Sequence, residues 1–368
     1  MAGFPFMRQA ETFLSSLPFI LLLAVFILPC PMSAAAKPRP AIAFVHLLLP
    51  PGGEPHASPA GWIGSLDRAR DTLESLRIPT IVSSASPGNA EDLNELSEMD
   101  PEVLITTSPL LYAAACDVAK RSPNTVFFAC TDETVHDNMS GFQARTYEAH
   151  YLAGLIAGAL SEDGVIGYLA NDPYQSKASR LRNANAFTLG AQKSKAAIRV
   201  LYAPGNDPDE ELKTLIAAGA DIVDLERALP SLVERLREHS VRYVGTAGRT
   251  VDPLCLAAPE WEWSNAFGDL LTQVRFGIWR PRNVSYGIKE GVVGLSPFGP
   301  AVPETVRVRV REAKEAIRNG ASPFEGPVRD VSGSLRIAEG SVPDDVTLRG
   351  MDWRVQGLEP LPLTPDGL

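Results

Sequence analysis

GVIGYLANDPYQSKASRLRNANAFTLGAQKSKAAIRVLYAP, residues 164–204, decides the fold. It opens on a short apolar run, GVIGYLAN, and closes on another, IRVLYAP, with a helix-forming segment from Ser179 to Ser194 between them. Two strands joined through a helix lie parallel, because a direct hairpin return is impossible across such a connection. Both runs are apolar with little alternation, as expected of strands covered by helices on both faces.

The same rhythm extends outward. Upstream, AIAFVHLLL (41–49), TIVSSA (80–85), EVLITTS (102–108) and TVFFAC (125–130) read as strands. Between them lie SLDRARDTLESL, AEDLNELSEM and LLYAAACDVAKRS; Leu66, Ala69, Leu73 and Leu76 carry the helical spacing in the first. TYEAHYLAGLIAGAL (146–160) opens a second set, which continues past residue 204 through helical DEELKTLIAAG, strand-like DIVDL, helical LPSLVERLREHS and strand-like RYVGTAG. Repeated strand–helix units imply an α/β fold of parallel-rich sheets flanked by helices. Two sets imply two lobes, the first part of one spanning 41–146 and of the other 147–246; residues 247–368 complete both lobes and the hinge. Ligands of open parallel sheets bind beyond the carboxyl ends of the strands, so the loops there are the place to search.

Residues 1–36 stand apart. Arg8 precedes the apolar run Phe13–Leu28, and small residues follow, which is the pattern of a secretory signal peptide. Ala34–Ala36 offers a cleavage site, and Cys30 offers a lipid attachment site in an imperfect context after Pro29. Either way the mature protein is expected outside the cytoplasmic membrane, periplasmic or anchored on its outer face. A net charge of −10 argues against nucleic acid as a partner. Cys116, Cys130 and Cys255 remain after the leader with no metal-like spacing; a disulfide between Cys116 and Cys130 and free thiols are both open.

Signatures of catalysis are missing: there is no G-x-S-x-G, H-E-x-x-H, Walker or G-x-G-x-x-G segment, so neither an enzyme nor a cofactor or metal is expected. The histidines are scattered, and His150, within a helix, reads as exposed or lightly buried. Polar candidates cluster after strands instead. Thr106, Thr107 and Ser108 precede a helix started by Pro109, where hydroxyls and free N–H groups hold either the helix end or a ligand edge. Asn171, Asp172 and Tyr174 follow GVIGYLA. Asp207 reads as an N-cap before Pro208, and Gly154 and Gly158 as room for a neighbouring element. Tyr147 and Glu148 open a helix where the chain crosses between lobes.

ARTYEAHYLAGLIAG, NAFTLGA, GVVGLSPFGPAVPETV and MDWRVQG together resemble the basic membrane protein (BMP) family of ABC-transporter substrate-binding proteins, over Ala41 to Gly357. The resemblance implies a two-lobed type I periplasmic-binding-protein fold, a monomer, and a permease in the membrane as partner. It also implies a small purine-like solute, base or nucleoside, gripped between aromatic rings. By the same resemblance Trp62 in AGWIG matches a stacking aromatic, Trp261 and Trp263 match an aromatic pair, and Tyr147, Glu148, Arg182 and Asn185 match further positions. The chain departs from the family at Pro59 and Ile63, and at ERALP and GTAGR, where acidic contacts are usual; Glu226 and Arg249 are candidate substitutes. The binding set is thus Trp62, Thr107, Ser108, Tyr147, Glu148, Asn171, Arg182, Trp261 and Trp263, with Trp261 the favoured contact. A second reading keeps the same fold but has it present its closed form to a receptor rather than a permease.

Overall fold

The computed structural model describes residues 39–48, 61–131, 133, 136–173, 175–245 and 252–362. The leader, Cys30, Pro59, Tyr174 and Arg249 lie outside the described residues. Residues 38–368 form one compact unit.

In chain order the first set is β1 (Ile42–Leu47), α1 (Trp62–Ser75), β2 (Thr80–Ala85), α2 (Glu91–Ser97), β3 (Val103–Thr106), α3 (Tyr112–Ala119), β4 (Val126–Cys130) and β5 (Met139–Ala144). The second is α4 (Thr146–Leu160), β6 (Val165–Leu169), α5 (Lys177–Ser194), β7 (Arg199–Ala203), α6 (Pro208–Ala217), β8 (Ile222–Leu225), α7 (Pro230–Glu238) and β9 (Arg242–Gly245). The last third supplies β10 (Cys255–Ala257), β11 (Pro259–Trp261), α8 (Ser264–Arg275), β12 (Val284–Tyr286), β13 (Val293–Leu295) and α9 (Glu304–Arg318). It ends with β14 (Val328–Arg329), β15 (Leu335–Ile337), α10 (Asp345–Arg349) and β16 (Leu358–Pro360).

Each lobe is built on a six-stranded sheet, ordered β12-β5-β4-β3-β1-β2 in one and β10-β9-β8-β6-β7-β16 in the other. Every neighbouring pair within these two sheets is parallel. β1 is buried at all six positions, as a strand covered on both faces must be. The last third of the chain puts β12 on the edge of the first sheet and β10 and β16 on the two edges of the second. β5 is a strand the apolar pattern did not show: MSGFQA has few apolar residues, and its pairing with β4 and β12 makes it one.

Helices α4 and α5 lie backbone to backbone. A Cβ at Gly154 would run into the Phe187 carbonyl, and one at Gly158 into that of Ala191. The small-residue face is therefore a packing face. Asp207 caps α6, accepting from the Glu210 N–H at 3.2 Å.

His150 corrects an expectation. It is fully buried between the lobe's helix and sheet, and its Nδ1 lies 3.0 Å from Asp224 on β8. A histidine on a helix covered by both α5 and a sheet has no solvent side to face. Cys116, Cys130 and Cys255 are all free thiols.

Candidate functional site

The carboxyl ends of β1 and β3 form a buried corner in which Thr107 and Ser108 are engaged, while the buried Thr106 hydroxyl has no partner among the described residues. Thr107 donates its N–H and its hydroxyl to the Val45 carbonyl at 3.0 and 3.1 Å, and its Oγ1 also lies 3.3 Å from His46 Nδ1. His46 Nε2 in turn sits 3.3 Å from Asp67 on α1. Ser108 Oγ accepts from the Leu110 N–H at 3.3 Å, capping the short turn at Pro109. Both hydroxyls sit in the structure's own hydrogen bonds.

The Thr107 carbonyl accepts the Trp62 indole N–H at 2.8 Å, which fixes the ring at the first residue of α1. Trp62 is 9% exposed. Edges of Trp261 and Trp263 meet it with centroids 5.8 and 5.3 Å away, near perpendicular, while Phe142 lies parallel at 6.5 Å. Edge-to-face pairs of this kind add ~1 kcal/mol each beyond area burial. The two C-terminal tryptophans do not follow one strand. Trp261 ends β11, which pairs antiparallel with β13, whereas Trp263 already has helical backbone at the start of α8. The turn into helix does not make the rings diverge: both close on Trp62. Trp263 is wholly buried and its indole N–H has no acceptor among the described residues.

Trp261 is the ring that connects. Its N–H donates to Thr146 Oγ1 at 3.2 Å, so it ties the first lobe's aromatic cluster to the opening residue of α4. The residue, 5% exposed, also borders an open groove of about 830 Å³ together with Arg68, Glu260, Glu262, Phe298 and Lys314.

The remaining candidates fall in two other places. At the crossing between lobes, Glu148 accepts the Ile288 N–H at 2.6 Å, and burial pushes its carboxyl up to about 7 against the pull of that bond and of Arg145. Tyr147 packs on Phe324, and the Arg182 guanidinium lies 5.8 Å from its ring centre. Arg182 also donates to the Leu348 carbonyl at 3.1 Å, and Asn185 receives the Val355 N–H at 2.9 Å. These side chains hold the returning C-terminal segments. Arg145 does likewise, forking onto Asp345 at 3.0 and 2.8 Å.

At the carboxyl end of the second sheet, Asn171 makes a two-way clamp on the backbone of Arg227, donating to its carbonyl at 2.8 Å and accepting its N–H at 2.9 Å. Beside it lies a buried polar group that motif searching could not assemble, since its members are far apart in sequence. Tyr168 donates to Glu226 at 2.8 Å, Asn183 does so at 3.3 Å, and the His150–Asp224 pair lies beneath. Burial lifts Glu226 to about 7, although His150 and Tyr168 pull the other way. For His150 burial acts downward, but the adjacent Asp224 carboxylate outweighs it and the net direction is up.

Two lobes of parallel sheet with an aromatic junction between them now meet an independent finding. A model of the Bmp family, described as ABC transporter substrate-binding protein PnrA-like, matches residues 66–217. Over those residues the chain is similar to the Bmp family. Among relatives of this chain, a Brucella abortus protein named as purine-binding is 28% identical over 344 residues, covering 89% of this chain and 95% of the relative. A Haloferax volcanii protein named as an ABC transporter glucose-binding protein is 28% identical over 307 residues, 77% of this chain and 78% of the other. An ABC transporter solute-binding protein from Conexibacter woesei shares the fold, with a TM-score of 0.60 at 17% identity over 76% of this chain and 97% of its own. The chain thus has the two-lobed type I periplasmic-binding-protein architecture.

Proposed function

We propose that this protein is the extracytoplasmic receptor of an ABC importer, capturing a small planar polar solute by lobe closure and handing it to a permease. A purine base or nucleoside is the solute class. The lobes are read as beginning with residues 41–146 and 147–246 and being completed by 247–368. The observation that carries the solute class is the position of Trp261, a largely buried residue, 5% exposed, that lines the groove and ties the first lobe's aromatic cluster to α4. Stacking on such a ring is worth roughly 1–3 kcal/mol per base and does not depend on which heterocycle is offered. The carboxylates of Glu260 and Glu262 on the same groove suit the N–H edges of a purine. The relative named as purine-binding, matched over nearly its whole length, supports the same choice.

Closure needs a ligand that touches both lobes and so binds the closed state better than the open one. Trp261 is suited to this, since it already joins Trp62 in the first lobe to Thr146 on α4. In this reading Trp62 and Trp263 stiffen the wall, and Thr107, Ser108 and Asn171 hold the loops that bear on the cleft.

The test is thermal unfolding of ligand-free protein with adenine, guanine, hypoxanthine, their nucleosides, and glucose. A solute at a hundred times its dissociation constant stabilises the native state by about 2.7 kcal/mol, which is a shift of several degrees. A shift with a purine, weakened in Trp261→Leu, is expected. A shift with glucose alone, or with none of these compounds, overturns the purine assignment.

A further inference from the structure

The end of the chain packs on the second lobe but reaches across to the first. The Leu348 carbonyl at the end of α10 accepts from Arg182 on α5 at 3.1 Å, and Asn185 of the same helix donates to the Trp353 carbonyl at 2.8 Å. Beyond them β16 pairs with β7, so this returning segment rides on the second lobe. Its Asp345, the first residue of α10, is nevertheless bound by Arg145 at 3.0 and 2.8 Å. Arg145 directly follows β5, and its backbone N–H donates to the Tyr286 carbonyl on β12 at 2.7 Å, so its backbone belongs to the edge of the first sheet. Ser285 of β12 faces the same carboxylate. One carboxylate thus joins a segment carried by the second lobe to the edge of the first.

The joint can part without exposing a core. Its side chains are charged and partly open to solvent, Arg145 at 25% and Asp345 at 32%. A cavity of about 10 Å³ lies among Arg145, Tyr147, Arg182, Ser285 and Asp345. Polar, loosely packed joints of this kind are those at which domains move. A second carboxylate is within reach of the arginine. Glu290, in the segment between β12 and β13, lies 3.4 Å from Arg145 Nη1 and also accepts the Gly287 N–H at 2.7 Å. Burial raises the Asp345 carboxyl, but the Arg145 fork outweighs it, with Ser285 and Arg349 adding to the fall. Arg349 therefore still offsets the Asp345 charge when Arg145 turns to Glu290. Two arrangements of one arginine leave no carboxylate at the joint uncompensated, which is the requirement for a two-state element.

We propose that Arg145 is a two-position latch between the lobes: engaged on Asp345 it fixes the lobe arrangement seen here, and transferred to Glu290 it frees the hinge. The inference rests on lobe closure as proposed above and supplies the restraint on that motion. A charge-assisted fork favours the arrangement in which it forms, and a solute then moves the balance only by its differential affinity for the two.

The experiment reads the distance between lobes in the ligand-free full chain. Spin labels coupled to p-acetylphenylalanine replace exposed Glu95 on α2 and exposed Glu238 on α7, and double electron–electron resonance gives the distance distribution. Asp345→Ala is expected to widen that distribution about twofold or more, because the latched arrangement loses its fork. Glu290→Gln keeps an acceptor for the Gly287 N–H but removes the competing charge, so its distribution should be no wider than wild type. Gly158→Ala, which strains the packing of α4 on α5 within the second lobe, is the control for lost stability and should not widen it. An Asp345→Ala distribution as narrow as wild type overturns the proposal. So does equal widening in Gly158→Ala, which would make the effect one of general stability, or in Glu290→Gln, which would remove the second position. These widths are recorded without solute, so they stand if the purine assignment fails. A solute that binds the labelled wild type without moving the distance would sink lobe closure itself, on a separate readout.

Discussion

Replacing Trp62 separates packing from recognition, because the two roles carry different magnitudes. The ring is 9% exposed, holds the Thr107 carbonyl at 2.8 Å and meets two indole edges. Trp62→Ala removes a large buried side chain, at a cost of about 3–5 kcal/mol, and leaves the Thr107 carbonyl without its donor, for roughly 1 kcal/mol more. Domains of this kind are stable by only ~5–15 kcal/mol. A lost stacking contact with a base would weaken binding by only about 1–3 kcal/mol. Urea unfolding of ligand-free Trp62→Ala should therefore show a loss larger than any stacking role explains. Trp62→Phe keeps a ring against Phe142 and removes the indole N–H, so a loss of roughly 1–3 kcal/mol is expected. Solute affinity measured by calorimetry on folded Trp62→Phe should fall less than tenfold, and affinity of Trp261→Leu should fall further. A Trp62→Ala protein less than ~1 kcal/mol below wild type would refute the reasoning, since it would mean the indole is not a structural element.

Trp263→Phe should cost under about 1 kcal/mol in urea unfolding, because it deletes a buried N–H that has no acceptor while keeping a ring on Trp62 and Phe267. Gly158→Ala should destabilise by about 1–3 kcal/mol or more by forcing α4 off the Ala191 backbone, read as a lowered unfolding midpoint. Asp345→Asn should cost roughly 1–2 kcal/mol, since the fork from Arg145 loses its charge, and adding Arg145→Gln should cost little beyond that. For Glu226 the folded carboxyl titrates at about 7, above its ordinary 4.5, so its contribution to stability is fully present below pH 4.5 and is lost as pH rises through 7. Glu226→Gln should remove that slope, so the variant gains on wild type by up to roughly 3 kcal/mol between pH 4.5 and 8; parallel stability curves would show that the carboxyl does not titrate there.

The fold was legible because its evidence is local and repeated. An apolar run and an amphipathic run alternate from β1 to β4 and again from β6 to β9, and parallel order within each stretch follows from that alternation. What escaped has physical reasons. β10, β12 and β13 are three residues each, too short to show any period, and they are strands because an edge of a sheet or ribbon is already present for them to pair with. The buried polar group at the end of β8 was invisible for another reason: Asp224 and His150 are 74 positions apart, and only the docking of α4 on the sheet brings them together. Gly154 and Gly158 did carry a readable signal, since two glycines four apart on a helix leave a flat face. Glu148 was singled out at the start of the helix where the chain crosses between lobes, but its partner, a backbone N–H at Ile288, had no signal of its own.

The placement of the candidate side chains also limits where recognition can come from. Thr107, Ser108 and Asn171 make hydrogen bonds that hold their own loops, and turning any of them toward a solute means breaking those bonds first. Asn171 would give up two bonds to Arg227, at about 1 kcal/mol each, and leave a backbone pair unsatisfied besides. A solute hydrogen bond returns only a similar amount, so such a switch gains almost nothing. Preorganisation runs in the opposite direction: groups already fixed by the protein shape a cavity, and discrimination comes from those that face it. In this chain the fixed aromatic corner and the polar clamps are the frame. Trp261, held by Thr146 on one side and by Trp62 on the other, is the point at which that frame meets the groove, so variation at Trp261 and Glu260 should alter which solute is taken, whereas variation at Trp62, Thr107 and Asn171 should alter whether the protein folds.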